Sequence, residues 1–174
     1  MTEFTLRDHN HNLKYNLMHE FCWGFGIAFH TIYAIVPLFL RELGAPESVA
    51  ISTAGVFAVL IALPTLFTAA LGRNIRNIKR AVILVHGIIL ATSFLMGLTF
   101  VWPDPVQVQT AWKIYYGYFL LYGLSIGIII PIWADFLNQS TLEKERGKFF
   151  GLGFAFNSIG SFVGGCALKA LLTS

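Results

Sequence analysis

Glu20 and Asp135 are carboxylates set at the ends of long apolar stretches, and Arg73, Arg76, Lys79, Arg80 and Arg146 are cations near the same ends. Ion pairs that form in one state of a molecule and break in another bias the equilibrium between them. The plainer alternative is that these charges anchor and orient the ends of the stretches. Deeper in apolar sequence stand His30 and Tyr33, three residues apart, so that a helix presents both on one face. An ionisable group in such surroundings is costly and is a functional candidate by default. An imidazole beside a phenol can bind a polar ligand or take up a proton. The other reading of His30 is a neutral histidine bonded to a neighbouring helix. Asn157 can contact a ligand or join two helices through its amide. Ser125 can do the former or bond back to its own helix. His86, near the start of another stretch, reads as support.

Chemistry of other kinds finds no residues here. The sequence pairs no nucleophile with a base and has no glycine loop to cradle phosphate. His9 and His11 are the nearest approach to a metal motif, and two histidines on a polar tail do not make a site. The sequence therefore points to no enzyme, no cofactor and no bound metal. A net charge of +3 invites a nucleic-acid reading, but the cations are not laid out as a stripe with interleaved aromatics, and no nucleic-acid partner is expected.

Five apolar stretches hold these candidates: residues 18–40, 49–71, 81–102, 112–134 and 149–172. A helix rising about 1.5 Å per residue needs about 20 residues to cross the hydrocarbon core. Each stretch meets that length and shows little polar face. Of 174 residues, 56% are hydrophobic and 12% charged, against about 25% charged in an ordinary soluble domain. The expected fold class is all-α: a polytopic bundle of five transmembrane helices over 18–174, with the lipid bilayer as its first partner. Residues 1–17 are expected as a polar cytoplasmic segment. They lack the pattern of a cleaved secretory signal, so the first span is expected to direct insertion.

Alternating the spans gathers the N-terminus and the 72–80 and 135–148 loops on one side. That side holds nine basic residues (Arg7, Lys14, Arg73, Arg76, Lys79, Arg80, Lys144, Arg146 and Lys148) against Arg41, Lys113 and Lys169 on the other. Lys and Arg near span ends set orientation. The N-terminus is therefore expected in the cytoplasm and the C-terminus outside, in a plasma or inner membrane. This places Cys22 and Cys166 near opposite faces of the bilayer, too far apart for a disulfide. Both are expected as small buried packing residues.

The glycines predict close helix packing. Gly123 and Gly127, and Gly160 and Gly164, are each spaced i, i+4, and small residues let helix backbones approach in lipid. Gly151, Gly153 and Gly165 are read onto the same face of the last span. Packing inside one bundle and pairing of two copies use the same pattern.

The chain resembles the N-terminal half of a major facilitator superfamily transporter over roughly residues 15–172. The span layout carries part of the resemblance. The loop after span 2 carries another part: Arg76-Asn77-Ile78-Lys79-Arg80 is similar to the basic end of the family's signature. There Ile75 replaces the acidic position, Ile78 the second glycine, and Gly72 is displaced by one. The third part is Glu145-Arg146-Gly147-Lys148-Phe149-Phe150-Gly151, followed by Asn157, Gly160 and Gly164, with Pro131 and Trp133 before it.

The resemblance implies secondary transport of a small solute, the substrate itself unspecified. It implies a cavity lined by spans 1 and 4, with His30, Tyr33, Ser125 and Asn157 as candidate cavity residues. It also implies an inward gate built from Glu20, Gly72, Arg73, Arg76, Lys79, Arg80, Asp135, Arg146 and Gly147. The family has twelve spans in two halves that rock against each other. Five spans are less than one half, so the expectation is an incomplete transporter, completed by a second half, a partner chain or a second copy. The alternative is a non-transporting membrane scaffold or assembly subunit built on the same half-fold.

Overall fold

The computed structural model describes residues 4–71, 75–101 and 108–173. Gly72, Arg73 and Trp102 lie outside the described residues. The described chain is helical, with no strand: α1 (Leu6–Ala28), α2 (Ile35–Glu42), α3 (Glu47–Leu71), α4 (Ile78–Val101), α5 (Val108–Gln139), a 3-10 turn at Glu143–Glu145, and α6 (Arg146–Thr173). Among the described residues, four segments are long and apolar enough to cross a membrane: Glu47–Ala70, Ile78–Leu98, Thr110–Gln139 and Glu143–Thr173.

The first expected span differs. Its apolar stretch, 18–40, is shared between the end of α1 and the whole of α2, with a break from Phe29 to Ala34. Pro37 explains the break. A proline lacks an N–H, and its ring clashes with the carbonyl four residues earlier, here that of Tyr33. In the first turn of a new helix the same proline is harmless, and Pro37 stands in the first turn of α2. Hydroxyls occupy carbonyls around the break. Thr31 donates to the Ala28 carbonyl at 3.0 Å, and Thr53 donates to that of Ile32 at 3.4 Å.

The polar N-terminal segment is helical from Leu6 onward, and Thr5 caps the helix. The Thr5 hydroxyl accepts from the Asp8 N–H at 3.3 Å, while the Asp8 carboxylate accepts from the Thr5 N–H at 2.9 Å. This reciprocal pair satisfies two donors that a helix start would leave free.

The chain forms two compact units. One comprises residues up to Thr31 together with Leu137 onward, and the other comprises Ile32–Phe136. In the first unit α1 and α6 lie side by side and parallel. His9 faces Phe149, Asn16 faces Gly153, Glu20 faces Asn157, and Phe25 faces Gly164, in ascending order on both helices. Glycine sets their separation. A Cβ on Gly24 would fall on the Asn157 carbonyl, one on Gly160 on the Phe21 carbonyl, and one on Gly164 at 2.5 Å from the Phe25 carbonyl oxygen. Gly151 and Gly165 have open space around them, so the glycines of α6 do not share one face.

In the second unit α3 and α5 are likewise parallel. Gly123 lies against Phe57 and Leu60, and Gly127 against the Leu60 and Ile61 carbonyls. Two prolines meet at this seam. Pro64 and Pro131 lie inside α3 and α5, and each deprives the carbonyl four residues earlier of its helical donor. Those carbonyls are Leu60 and Gly127. Thr65 on α3 donates to the Gly127 carbonyl at 2.9 Å, the kind of repair that lets proline stand inside a membrane helix. Helix α4 runs antiparallel to α5, with Phe100 against Tyr115 and His86 edge-on to Trp133. Val36, Leu40, Ala50, Tyr115 and Phe119 form the buried cluster at one end of this unit.

Candidate functional site

The seam between α1 and α6 gathers the polar groups of the first unit. Glu20 stands on α1 with its side chain 14% exposed. The Asn157 amide of α6 donates to Glu20 Oε2 at 3.1 Å, and His19 Nδ1 lies 3.6 Å from Glu20 Oε1. The His19 ring stacks on Trp23 one turn further along. Asn16, one turn before Glu20, is 6% exposed. A Cβ built on Gly153 would come within 3.1 Å of Asn16 Nδ2 and 3.5 Å of Glu20 Cγ. Asn16 and Glu20 therefore converge on one glycine of α6. Among the described residues, Asn16 Oδ1 has no hydrogen-bond donor. Further along, the Ser161 hydroxyl donates to the Gly24 carbonyl at 3.1 Å.

Nearer its start, α1 rests on the connection between α5 and α6. His9 is 2% exposed. Its Nδ1 lies 3.0 Å from the Thr141 hydroxyl, and its ring packs on Phe149, which is 0% exposed. The Asn12 amide donates to the Ser140 carbonyl at 2.9 Å. His9, read from the sequence as part of a free tail, is thus a packed residue.

Of the expected site residues, the structure brings together Glu20 and Asn157. Among the described residues no ion pair joins Glu20 to Arg146. Arg146 opens α6, and its Nε is buried without an acceptor among those residues. Gly147 follows it, exposed, with open space around its Cα. In the other unit Asp135, Arg76, Lys79 and Arg80 are exposed, and among the described residues no ion pair links the acid to the three cations. The Arg80 N–H instead donates to Asn77 Oδ1 at 3.0 Å, which caps α4. Gly72 and Arg73 of the expected gate lie outside the described residues.

His30 and Tyr33 fall in the break after α1, so the one helix face expected for them does not exist. His30 Nδ1 lies 3.5 Å from the Gly26 carbonyl, and Tyr33 is 79% exposed. Ser125 is buried and donates to the Leu121 carbonyl at 2.8 Å, the within-helix bond anticipated for it. Asn157 joins two helices. Cys22 and Cys166 are free and exposed, not buried packing residues. Each lies on a face of its helix turned away from the seam.

His19 and Asn16 were missed in the sequence. The signal was present: Asn16 and Glu20 are spaced i, i+4, one above the other on a helix face. Asn16 escapes that pattern because the first apolar stretch is read only from residue 18.

Apolar helices of spanning length, paired through glycine, define a polytopic membrane protein. The Major Facilitator Superfamily model matches residues 13–165, well over half of the chain. The chain belongs to that superfamily, whose members are transporters. No curated protein and no solved structure matches it.

Proposed function

We propose that this chain moves a small solute across a cell membrane as one portion of a secondary transporter. The match to the superfamily over residues 13–165 is the observation that carries this reading. Alternating access needs a second body to rock against. In this proposal that body is a second half, a partner chain or a second copy. Five crossings are proposed, the first made by the end of α1 and by α2 across the break. The excess of Lys and Arg at the N-terminus and in the 72–80 and 135–148 loops supports a cytoplasmic N-terminus and an outer C-terminus.

The break supports solute contact at His30 and Tyr33. Non-helical backbone at membrane depth is tolerated where it is buried in protein or lines a water-filled cavity, and Tyr33 is well exposed there. Within the second unit, Arg76, Lys79, Arg80 and Asp135 remain the proposed charges of an inward gate.

The test compares the small-molecule content of cells that express the chain from its native locus with that of cells lacking it. One solute class is expected to change. In Tyr33→Ala the apparent affinity for that solute is expected to fall about tenfold, the equivalent of one hydrogen bond of roughly 1.4 kcal/mol. An unchanged solute profile, with the protein present in the membrane, would sink the transport reading and favour the scaffold.

A further inference from the structure

The outward face of α1 changes from basic to apolar along its length. Arg7, His11 and Lys14 are spaced i, i+4 and i+7, so one helix face carries all three, and Met18 and Phe25 continue it. All five are exposed. His9, Asn16 and Glu20 stand on the opposite face, turned to Phe149, Gly153 and Asn157. Tyr15 borders the change of polarity, 52% exposed, with its ring 4.8 Å from that of His11. Tyrosine favours the level of lipid headgroups, where one end of the ring is wet.

The protein does not answer these cations. Among the described residues neither Arg7 nor Lys14 has an ion pair. Asp8, the acid beside Arg7 in sequence, is engaged by the Thr5 N–H at 2.9 Å and the Thr5 hydroxyl at 2.6 Å. The height of the stripe follows from the seam. Glu20 pairs with Asn157 across 137 residues. In parallel helices the same offset sets Arg7 level with Lys144, His11 with Lys148 and Lys14 with Gly151. The stripe therefore lies where the chain before α6 and the start of α6 pass from cations into apolar sequence. It is about 10 Å long, against a headgroup layer of about 5–8 Å on each side of a bilayer. Lys14 and His11 fall in that layer, and the long side chain of Arg7 reaches toward it.

We propose that this face binds an anionic phospholipid, its headgroup held by Lys14, His11 and Arg7 and its acyl chain laid along Met18 and Phe25. A zwitterionic headgroup brings its own ammonium, which opposes the same three groups. Each Lys or Arg near a membrane surface favours anionic lipid about fivefold, the equivalent of about 1 kcal/mol. The proposal rests on the reading that α1 enters the bilayer and is independent of solute movement.

Cys22, free and exposed one turn past Met18, gives the measurement its position. The full chain carrying Cys166→Ser is labelled at Cys22 with a fluorophore and placed in vesicles of equal phosphatidylglycerol and phosphatidylcholine. One preparation has brominated acyl chains on the first lipid, the other on the second. Stronger quenching by brominated phosphatidylglycerol is expected. That preference is expected to fall about fivefold in Lys14→Gln, to fall by less in Arg7→Gln, and to survive in Lys148→Gln, which removes a charge at the same height but off the face. Equal quenching by the two lipids overturns the proposal and leaves the membrane crossing of α1 standing. A preference that Lys14→Gln leaves unchanged, or that Lys148→Gln lowers as much, overturns it too. Quenching by neither lipid also overturns it, and means that water or a second copy of the chain covers the face.

Discussion

Gly160→Leu is expected to separate α1 from α6 and to lower the unfolding temperature more than any substitution on the outer face of α6. A Cβ at residue 160 would coincide with the Phe21 carbonyl and lie 3.0 Å from the Phe25 nitrogen. Both are backbone atoms of α1, so no side chain can turn away and the helix itself must move. Overpacking that forces backbone shifts destabilises by about 1–3 kcal/mol, occasionally more. The shift would also pull Asn157 from Glu20 and Ser161 from the Gly24 carbonyl, so about 3 kcal/mol or more is expected.

Helix propensity works the other way, since replacing an interior glycine gains at most about 1 kcal/mol. The steric effect therefore wins at residue 160. Gly151→Leu is the control. Residue 151 has open space, so only the propensity gain applies, and this variant is expected to match or slightly exceed the parent. Thermal unfolding of both variants in lipid, read by tryptophan fluorescence, checks the pair. Equal midpoints for the two would show that α1 and α6 are not held at this distance.

Phe149→Ala is expected to free the start of α1. Phe149 is fully buried at the head of α6, between His9 and Phe150. Removing such a ring from a packed core costs about 3–5 kcal/mol. Residues 6–17 form a polar extension of the helix, and their hold on the rest of the unit runs through a few contacts: His9 to Thr141 and Phe149, Asn12 to Ser140, and Asn16 to Gly153. Loss of the ring removes the apolar part of that hold. Arg7 and Lys14 are exposed but locked in helix, and a protease needs unwound chain. Trypsin cleavage after Lys14 is expected to be at least about tenfold faster in Phe149→Ala, the factor given by 1.4 kcal/mol. An unchanged rate would mean that the segment is held by other means.

The sequence reveals helices where one residue type dominates and conceals them where neighbours decide. The last four stretches read correctly because each is uniformly apolar over a membrane's thickness. Gly123, Gly127, Gly160 and Gly164 read correctly as close-packing residues because the spacing i, i+4 names a face. It does not name the opposing helix, so bundle packing and self-pairing could not be told apart there. Gly151 and Gly165 were assigned to that face by proximity in sequence alone, and 3.6 residues per turn carry them away from it.

The break in the first apolar stretch is hidden for a different reason. Pro37 looks no different in sequence from Pro64 or Pro131, yet the latter two are inside helices and Pro37 opens one. The outcome depends on which neighbours answer the freed carbonyls. The start of α1 was hidden by polarity, although Thr5 and Asp8 spell a helix cap three residues apart.

The same site yields the partial legibility of Glu20. Its place at the end of an apolar stretch marks it as a gate or anchor charge, and the nearby arginines suggest ionic partners. Its partners in the structure are an amide on α6 and the preceding histidine. Sequence distance to Asn157, 137 residues, gives no hint of that pairing.

The bond from Thr65 to the Gly127 carbonyl ties two distant positions into one heritable unit. Proline at 131 creates the need that the hydroxyl at 65 answers, and glycine at 127 leaves the two helices close enough for the answer to arrive. A lineage that loses the proline releases the threonine to drift. One that keeps the proline can exchange the threonine only for another donor of similar reach. Descendants of this chain should therefore carry the three residues together or abandon them together.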